Sequence, residues 1–467
     1  MNSQTTRKGM SDKVQQHPAS YRDPAGFIFK HDGKVYRQVN QYYAQDYDLF
    51  IKSGLYDLLV KQKKILPHLE IGENFTGDAQ WYKTLLPEQL EFISYPYEWC
   101  FSQWKDAALL TLELVKTAVS HGLVLKDATP FNVQFVSGAA VFIDTLSFEK
   151  YNETKPWVAY RQFIECFVGP LLLAKYRSSD LLKLFQVYPD GIPLKLISKL
   201  LPTKSMFNAN VFLHIKIPGL VNSKPGREKE KQPLFTKQKL LNIIANLQSF
   251  VESISLPATK TSWNNYYEET ILSHDYAKAK LAILEEWLKD LPGKTLLDIG
   301  TNTGMFAKAA ANAGKFTVAI DSDHACIDQL YNDKKEQNGS SILPLCVDIA
   351  NPSPAIGWSN AERASFTERA KADIVMALAL VHHLAIGKNI SFEQIAAAFE
   401  AMAPVLIIEF VPKEDEKVQL LLKDRKDIFD HYCKETFEKV FSNRLEILKV
   451  QPIPGTGRML YLMKRKC

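Results

Sequence analysis

Hydrophobic residues in the second half of the chain gather in short runs bounded by polar or glycine-bearing stretches. Residues 295–299, 316–321, 341–349, 372–384 and 403–410 are such runs. Runs that are apolar at consecutive rather than alternate positions predict parallel strands covered on both faces. An alanine-rich stretch of good helix formers, residues 305–311, follows the first of them. Residues 445–450 and 458–463 are joined through Pro452-Ile453-Pro454-Gly455-Thr456-Gly457, which predicts an antiparallel closing hairpin. Together these elements predict an α/β fold class with a seven-stranded Rossmann-like sheet in the C-terminal part.

The first half is patterned differently. Residues 26–30 and 34–39 alternate around His31-Asp32-Gly33, and Asp-Gly between alternating runs is a strong hairpin signal. Apolar residues recur at helical spacing over 49–64 and 103–120, and 90–95 has the composition of a short strand. Residues 122–144 predict strand, turn and strand, with Ser137-Gly138 at the turn. Helices are expected over 156–173, 180–185, 237–253 and 275–288. The polar start reads as a disordered tail over 1–20. A mixed α+β domain is expected over 21–201, and a proline- and charge-rich linker with a bridging helix over 202–262. The sheet-forming domain would occupy 263–467.

Composition narrows the classes. At 467 residues, two or three domains are expected, and 46% hydrophobic with 23% charged residues is ordinary for globular proteins. The net charge of +5 is spread out, and the cluster Arg227-Glu228-Lys229-Glu230-Lys231 is mixed in sign, so nucleic acid is not an expected partner. The longest membrane-span candidate, residues 374–386, is broken by His382 and His383, and membrane insertion is not expected. The start lacks an apolar signal-peptide core. Six scattered cysteines without a Cys-x-x-Cys pair point to reduced thiols, a cytoplasmic location and no metal site.

The chemistry centres on Asp298-Ile299-Gly300-Thr301-Asn302-Thr303-Gly304, where a buried strand runs into a glycine turn that opens a helix. Gly300 allows a sharp bend close to a ligand, and Gly304 is expected to let the helix pack close to the strand. A dinucleotide site would use Gly-x-Gly-x-x-Gly to seat a pyrophosphate. A carboxylate at the first position would repel that group and suits a ligand carrying an ammonium. The pattern resembles motif I of class I S-adenosylmethionine-dependent methyltransferases. The resemblance implies S-adenosyl-L-methionine as cofactor, contacted by Asp298, Gly300, Thr301, Asn302, Gly304 and Phe306. Asp321 would hold both ribose hydroxyls, Asp348 the adenine amine, and Ile349 would lie beside the ring. Ala379 and Leu380 would line the methionine arm, because ligands bind at the carboxyl ends of parallel strands. His382, His383 and Glu409 are the candidate catalytic groups there. The His pair fits a base, a substrate contact or a structural cap. Residues 356–363 interrupt a connection that is usually short and are a candidate substrate element.

A second constellation lies upstream. Asp127 and Asn132 stand in the spacing Asp-x-x-x-x-Asn, and a strand pair then ends at Asp144. This resembles the catalytic loop and metal-binding Asp of kinase-like enzymes, which would make Asp127 a base and Asn132 and Asp144 metal ligands. Lys126 and Thr145-Leu146 depart from that pattern, no glycine-rich phosphate loop is visible, and Arg37 falls where a lysine is usual. A plain α/β substrate-binding or scaffolding domain is the alternative. The segments 94–99, 142–149, 298–304, 379–384 and 409–413 together resemble bacterial methyltransferases grouped with a host-specific nodulation protein. That resemblance spans most of 21–467. It implies methyl transfer to a small-molecule, carbohydrate or protein acceptor, against the alternatives of a phosphotransferase, a bifunctional enzyme or a non-catalytic cofactor-binding adaptor.

Overall fold

A computed structural model describes residues 14–220, 235–257, 274–335, 341–423 and 426–466. The first half opens with a five-stranded antiparallel sheet. Its strands are β1 (Gln15–Gln16), β2 (Gly26–His31), β3 (Lys34–Asn40), β4 (His68–Ile71) and β5 (Trp81–Pro87), in the order β1-β2-β3-β5-β4. The β2–β3 hairpin turns where Asp-Gly predicts it, with Asp32 and Gly33 both at positive φ, 48° and 72°. Residues 49–64 do not form one helix. They are split between α1 (Ala44–Lys52) and α2 (Leu55–Lys61), because Gly54 at φ 75° breaks the path. The strand expected at 90–95 is absent; that segment is irregular, and β5 takes the place beside β3. Gln15 and Gln16 pair with Lys30 and Phe29, so the later part of the expected tail 1–20 belongs to the sheet.

Helix α3 (Phe101–Ser120) follows, then β6 (Leu123–Leu125), the hairpin β7 (Val133–Val136) and β8 (Ala139–Phe142), and β9 (Phe148–Lys150). Ser137 and Gly138 make the hairpin turn at φ 51° and 83°. Within the expected linker, residues 203–220 are largely helical and Lys237–Ser253 is a helix packed on α3. Pro225, Pro233, the 227–231 cluster and residues 261–267 lie outside the described residues.

The second half contains β10 (Thr295–Ile299), β11 (Phe316–Asp321), β12 (Ile342–Cys346), β13 (Ile374–Ala377), β14 (Val405–Phe410), β15 (Leu445–Pro452) and β16 (Met459–Arg465). They form one seven-stranded sheet in the order β12-β11-β10-β13-β14-β16-β15, parallel except for β16 and β15. This order, with an antiparallel seventh strand inserted beside the fifth, is the class I methyltransferase arrangement expected from the pattern. The order reverses between β10 and β13, which opens a crevice at their carboxyl ends.

The described residues of the two halves pack against each other. One continuous apolar cluster includes Trp99, Trp104 and Val115 of the first half and Ile320, Tyr331 and Leu345 of the second. Helix α3 is apolar around much of its circumference because it is covered on several sides. Asp328 caps it from the other half: its carboxylate accepts from Ser102 N at 2.7 Å and Ser102 Oγ at 3.0 Å. Tyr331 Oη donates to Asp106 at 2.7 Å, and Gln103 Nε2 donates to Pro344 O at 3.2 Å. Glu98, 1% exposed, pairs with Arg369 and accepts from Ser353 Oγ at 2.5 Å.

Fluorescence and far-ultraviolet circular dichroism should therefore report one coincident urea transition for both halves. Glu98→Ala strands a buried guanidinium and should lower stability by about 3 kcal/mol. Two well-separated transitions in the intact protein would contradict a shared core.

Candidate active site

At the carboxyl end of β10 the chain bends through Gly300 (φ 78°), Asn302 (φ 52°) and Gly304 (φ 79°) before the helix Met305–Asn312. Gly300 N and Thr301 N both donate to Ile320 O, at 2.9 and 3.0 Å, which ties the bend to β11. A Cβ on Gly304 would lie 2.5 Å from the Leu330 side chain. The close approach there is to the helix His324–Lys335 rather than to the strand. Asp321 ends β11; its Oδ2 accepts from Asn302 N at 2.9 Å and its Oδ1 from Asp323 N at 3.0 Å. Burial raises its pKa, and these amides oppose the shift.

Asp298 is 2% exposed and accepts from Thr301 Oγ1 at 2.6 Å. Burial pushes its carboxyl up to about 7; Asp321 adds to the shift, while Thr301 and Lys280 oppose it. It lies beneath the bend. Phe306 is also buried, a member of the core with Lys280 Nζ 4.6 Å above its ring.

Glu409, at the end of β14, has no exposed surface. Its Oε1 accepts from Tyr276 Oη at 2.7 Å, and its Oε2 from Lys280 Nζ and from Ala379 N, both at 2.9 Å. Arg458 Nη1 stands 3.4 Å from Oε1 and donates to Tyr276 Oη at 2.8 Å, while its Nε reaches Asp415 at 2.7 Å. Burial alone would raise the Glu409 pKa, but Lys280 and Arg458 outweigh it and hold the carboxylate low. Glu409 is thus a committed structural anion, not the accessible proton acceptor expected from its place on the strand. It fixes Ala379, a non-glycine residue at φ 48° on the loop after β13.

The two histidines separate. His382 is 0% exposed, and neither ring nitrogen has a hydrogen-bond partner. Burial, then His383, Arg458 and Lys280, drive its pKa well below the usual value. It faces inward, away from the catalytic position expected of it. His383 is half-buried and also lowered, first by burial, and is neutral at pH 7. Asp348 follows β12 in a turn, its Oδ1 accepting from Ala350 N at 2.9 Å, with Ile349 half-buried beside it. Tyr276, Lys280 and Arg458 were not singled out from the sequence. Lys280 lies on the apolar side of an amphipathic helix, His274–Asp290, and that misplaced charge is the signal that would have marked it.

The segment 356–363 turns toward the first half: Arg22 pairs with Glu362 at 3.1 Å, and Arg363 lies 4.3 Å over the Phe131 ring. Upstream, Asp144 pairs with Arg37 and accepts from Ser147 Oγ at 2.5 Å and from Asn132 Nδ2 at 3.4 Å. Asp127 is half-buried, and burial followed by Asp144 raises its pKa. Among the described residues no group of three or more metal-ligating side chains is assembled.

Two outcomes follow from this geometry. Lys280→Met should cost about 3 kcal/mol in urea denaturation, and adding Glu409→Gln should restore part of the loss by removing the stranded charge. The Asp298 pKa lies above its unfolded value of 3.8. The folded state therefore holds an extra proton between about pH 4 and 7, and stability falls as pH rises through that window. Asp298→Asn should flatten this slope and gain on the wild type between pH 5 and 8 by a few kcal/mol, on the order set by ~1.4 kcal/mol per pKa unit.

No family model matches the chain. Among solved structures, magnesium protoporphyrin IX methyltransferase (ChlM) from Synechocystis PCC 6803 with bound SAM is 15% identical, covers 44% of this chain and 89% of that one, and superposes with a TM-score of 0.32. The N-methyltransferase NodS from Bradyrhizobium japonicum WM9 is 15% identical over 42% of this chain and 99% of its own, with a TM-score of 0.30. Among curated proteins, the nodulation protein NoeA of Rhizobium meliloti (strain 1021) is 32% identical over 458 residues, 96% of this chain and 95% of that protein. A likeness of this extent runs through both halves and the whole candidate site, and the chain belongs to the NoeA family.

Proposed function

We propose that this chain is an S-adenosylmethionine-dependent methyltransferase acting on a small-molecule, carbohydrate or protein acceptor. The observation that carries the reading is the bend at Gly300–Gly304 facing Asp321 at the switch point of the sheet. Both glycines hold positive φ, and the Asp321 carboxylate is oriented by the Asn302 amide at 2.9 Å. A carboxylate so placed suits a pair of ribose hydroxyls and disfavours a phosphate there. Asp348 and Ile349 would meet the adenine, and Ala379 and Leu380 the methionine arm. Asp298, below the bend, would favour a cationic ligand once ionised.

When bound, the cofactor supplies a methyl already activated on a sulfonium, so the protein's work is alignment and exclusion of water. The acceptor's lone pair forms the new bond to the methyl carbon while the carbon–sulfur pair returns to sulfur, leaving a thioether. His383, neutral and at the crevice, is the residue for the acceptor's proton. Glu409 and His382 support the loop from behind. A phosphotransferase reading of Asp127, Asn132 and Asp144 has less support, because Arg37, Ser147 and Asn132 already occupy the Asp144 carboxylate.

Calorimetry on the full chain should detect S-adenosylhomocysteine, and Asp321→Ala should weaken it at least tenfold, about 1.4 kcal/mol. A folded protein that ignores both S-adenosylmethionine and S-adenosylhomocysteine would falsify the reading. Release of S-adenosylhomocysteine in the presence of cell extract separates an enzyme from an adaptor. With an acceptor in hand, His383→Ala should lower kcat about a hundredfold with little change in cofactor KM; an unchanged kcat excludes His383 as the base.

A further inference from the structure

Residues 209–220 form a continuous helix in the stretch that the sequence marks as a connector, and it is apolar on two sides. Its inner side is seated. Val211, His214 and Ile215 are buried, with His214 Nδ1 2.6 Å from Tyr160 Oη and Nε2 3.0 Å from Asn246 Oδ1. Gly219 lies against the helix Leu194–Leu200, where a Cβ would meet Leu194 O at 3.4 Å. A helix seated on one side is expected to be polar on the other. Here the outer side carries Phe212, Leu213 and Ile217, which are 49%, 52% and 43% exposed. Ile217 N donates to Phe212 O across a wide π-type turn, which brings these two side chains onto one side. Phe207, just ahead of the helix, is 91% exposed.

The charge around this face has one sign. Residues 191–220 include Lys195, Lys199, Lys204 and Lys216 and contain no carboxylate. Lys195, Lys199 and Lys204 are exposed and Lys216 is half-buried. Among the described residues none of these ammonium groups forms an ion pair. Lys195 and Lys199 stand four apart on the helix Leu194–Leu200, whose Leu194 and Ile197 point into the core. Lysines beside an apolar face can lay their stems along it and hold their charges at its margin.

We infer that this face rests on an anionic phospholipid surface, with Phe207, Phe212, Leu213 and Ile217 in the headgroup–acyl boundary and the lysines on the lipid phosphates. The combination of exposed aromatic and aliphatic side chains with unpaired lysines is what such a boundary selects. Shape separates a bilayer from a protein partner. A phenyl ring that is 91% exposed is a protrusion, not the wall of a groove. The bilayer boundary accepts a protrusion of any outline, whereas a protein interface needs matching relief on the other side. No helix among the described residues is long and apolar enough to cross a membrane, so the contact is adsorption to one leaflet. The inference does not depend on the methyl-transfer reading, because none of these residues belongs to the crevice at β10 and β13.

The test is flotation of the full chain with vesicles of phosphatidylcholine, alone or mixed with phosphatidylglycerol in equal parts. The protein should float with the anionic vesicles and bind the neutral ones about tenfold more weakly. Raising the salt from about 0.1 M to about 0.5 M should weaken the binding. Phe207→Ser combined with Leu213→Ser removes apolar contact, and Lys199→Glu combined with Lys204→Glu reverses charge. Each pair should lower binding to anionic vesicles about tenfold with the melting transition unchanged, because all four residues are exposed. If the first pair does not fold, Phe207→Ser alone serves. The assignment is overturned if the wild type floats with neither vesicle, if it floats equally with both, or if either folded pair floats as the wild type does. Retention on immobilised polyglutamate without flotation would assign the lysines to an acidic protein. A dimer that the Phe207–Leu213 pair dissociates, again without flotation, would make the face a contact between two copies. Both results overturn the lipid assignment.

Discussion

A single buried carboxylate, Glu409, holds the second half together where its chemistry is expected. It joins four parts of the chain: the helix before the first strand through Tyr276 and Lys280, the loop after β13 through Ala379, its own strand β14, and the start of β16 through Arg458. An isolated buried charge would be untenable, and two cations and a phenol make this one stable. The arrangement is costly to break at any member, because each removal strands another charge out of water. Its effect is geometric: a left-handed alanine is held in the crevice wall in a conformation it would not adopt unaided.

The second organising element is the shared core. Helix α3 lies where the halves meet, capped at its start by Asp328 and bonded along its length to the helix His324–Lys335. That helix also supplies Leu330 beneath Gly304. Packing of the first half on the second thus bears on the bend at the site through a single helix. The half with the seven-stranded sheet and the antiparallel half share buried apolar packing.

Local signals in the sequence proved good guides where a local cause exists. Asp32-Gly33 and Ser137-Gly138 turn because paired positive φ values need such residues. The bend at Gly300–Gly304 was legible for the same reason, as were the buried strands on either side of it. Features that depend on distant partners are not legible in this way. Residues 90–95 have strand composition but face a position already taken by β5. Glu409 reads as a reactive acid at a strand end until Tyr276, Lys280 and Arg458 are brought to it. His382 and His383 are adjacent in sequence, yet the turn after β13 sends one into the core and leaves the other half-exposed.

By itself, then, the sequence determined the period of each element, the sharp turns and the carboxylates that end the strands of the sheet. These follow from backbone sterics and from the burial of apolar runs, which act over a few residues. Tertiary structure alone decided which charges neutralise one another, which histidine remains near solvent, and that Asp144 is taken by Arg37. Those outcomes turn on desolvation and on ion pairing between residues distant in sequence, 107 positions for Arg37 and Asp144 and 129 for Lys280 and Glu409, and no local pattern encodes such meetings.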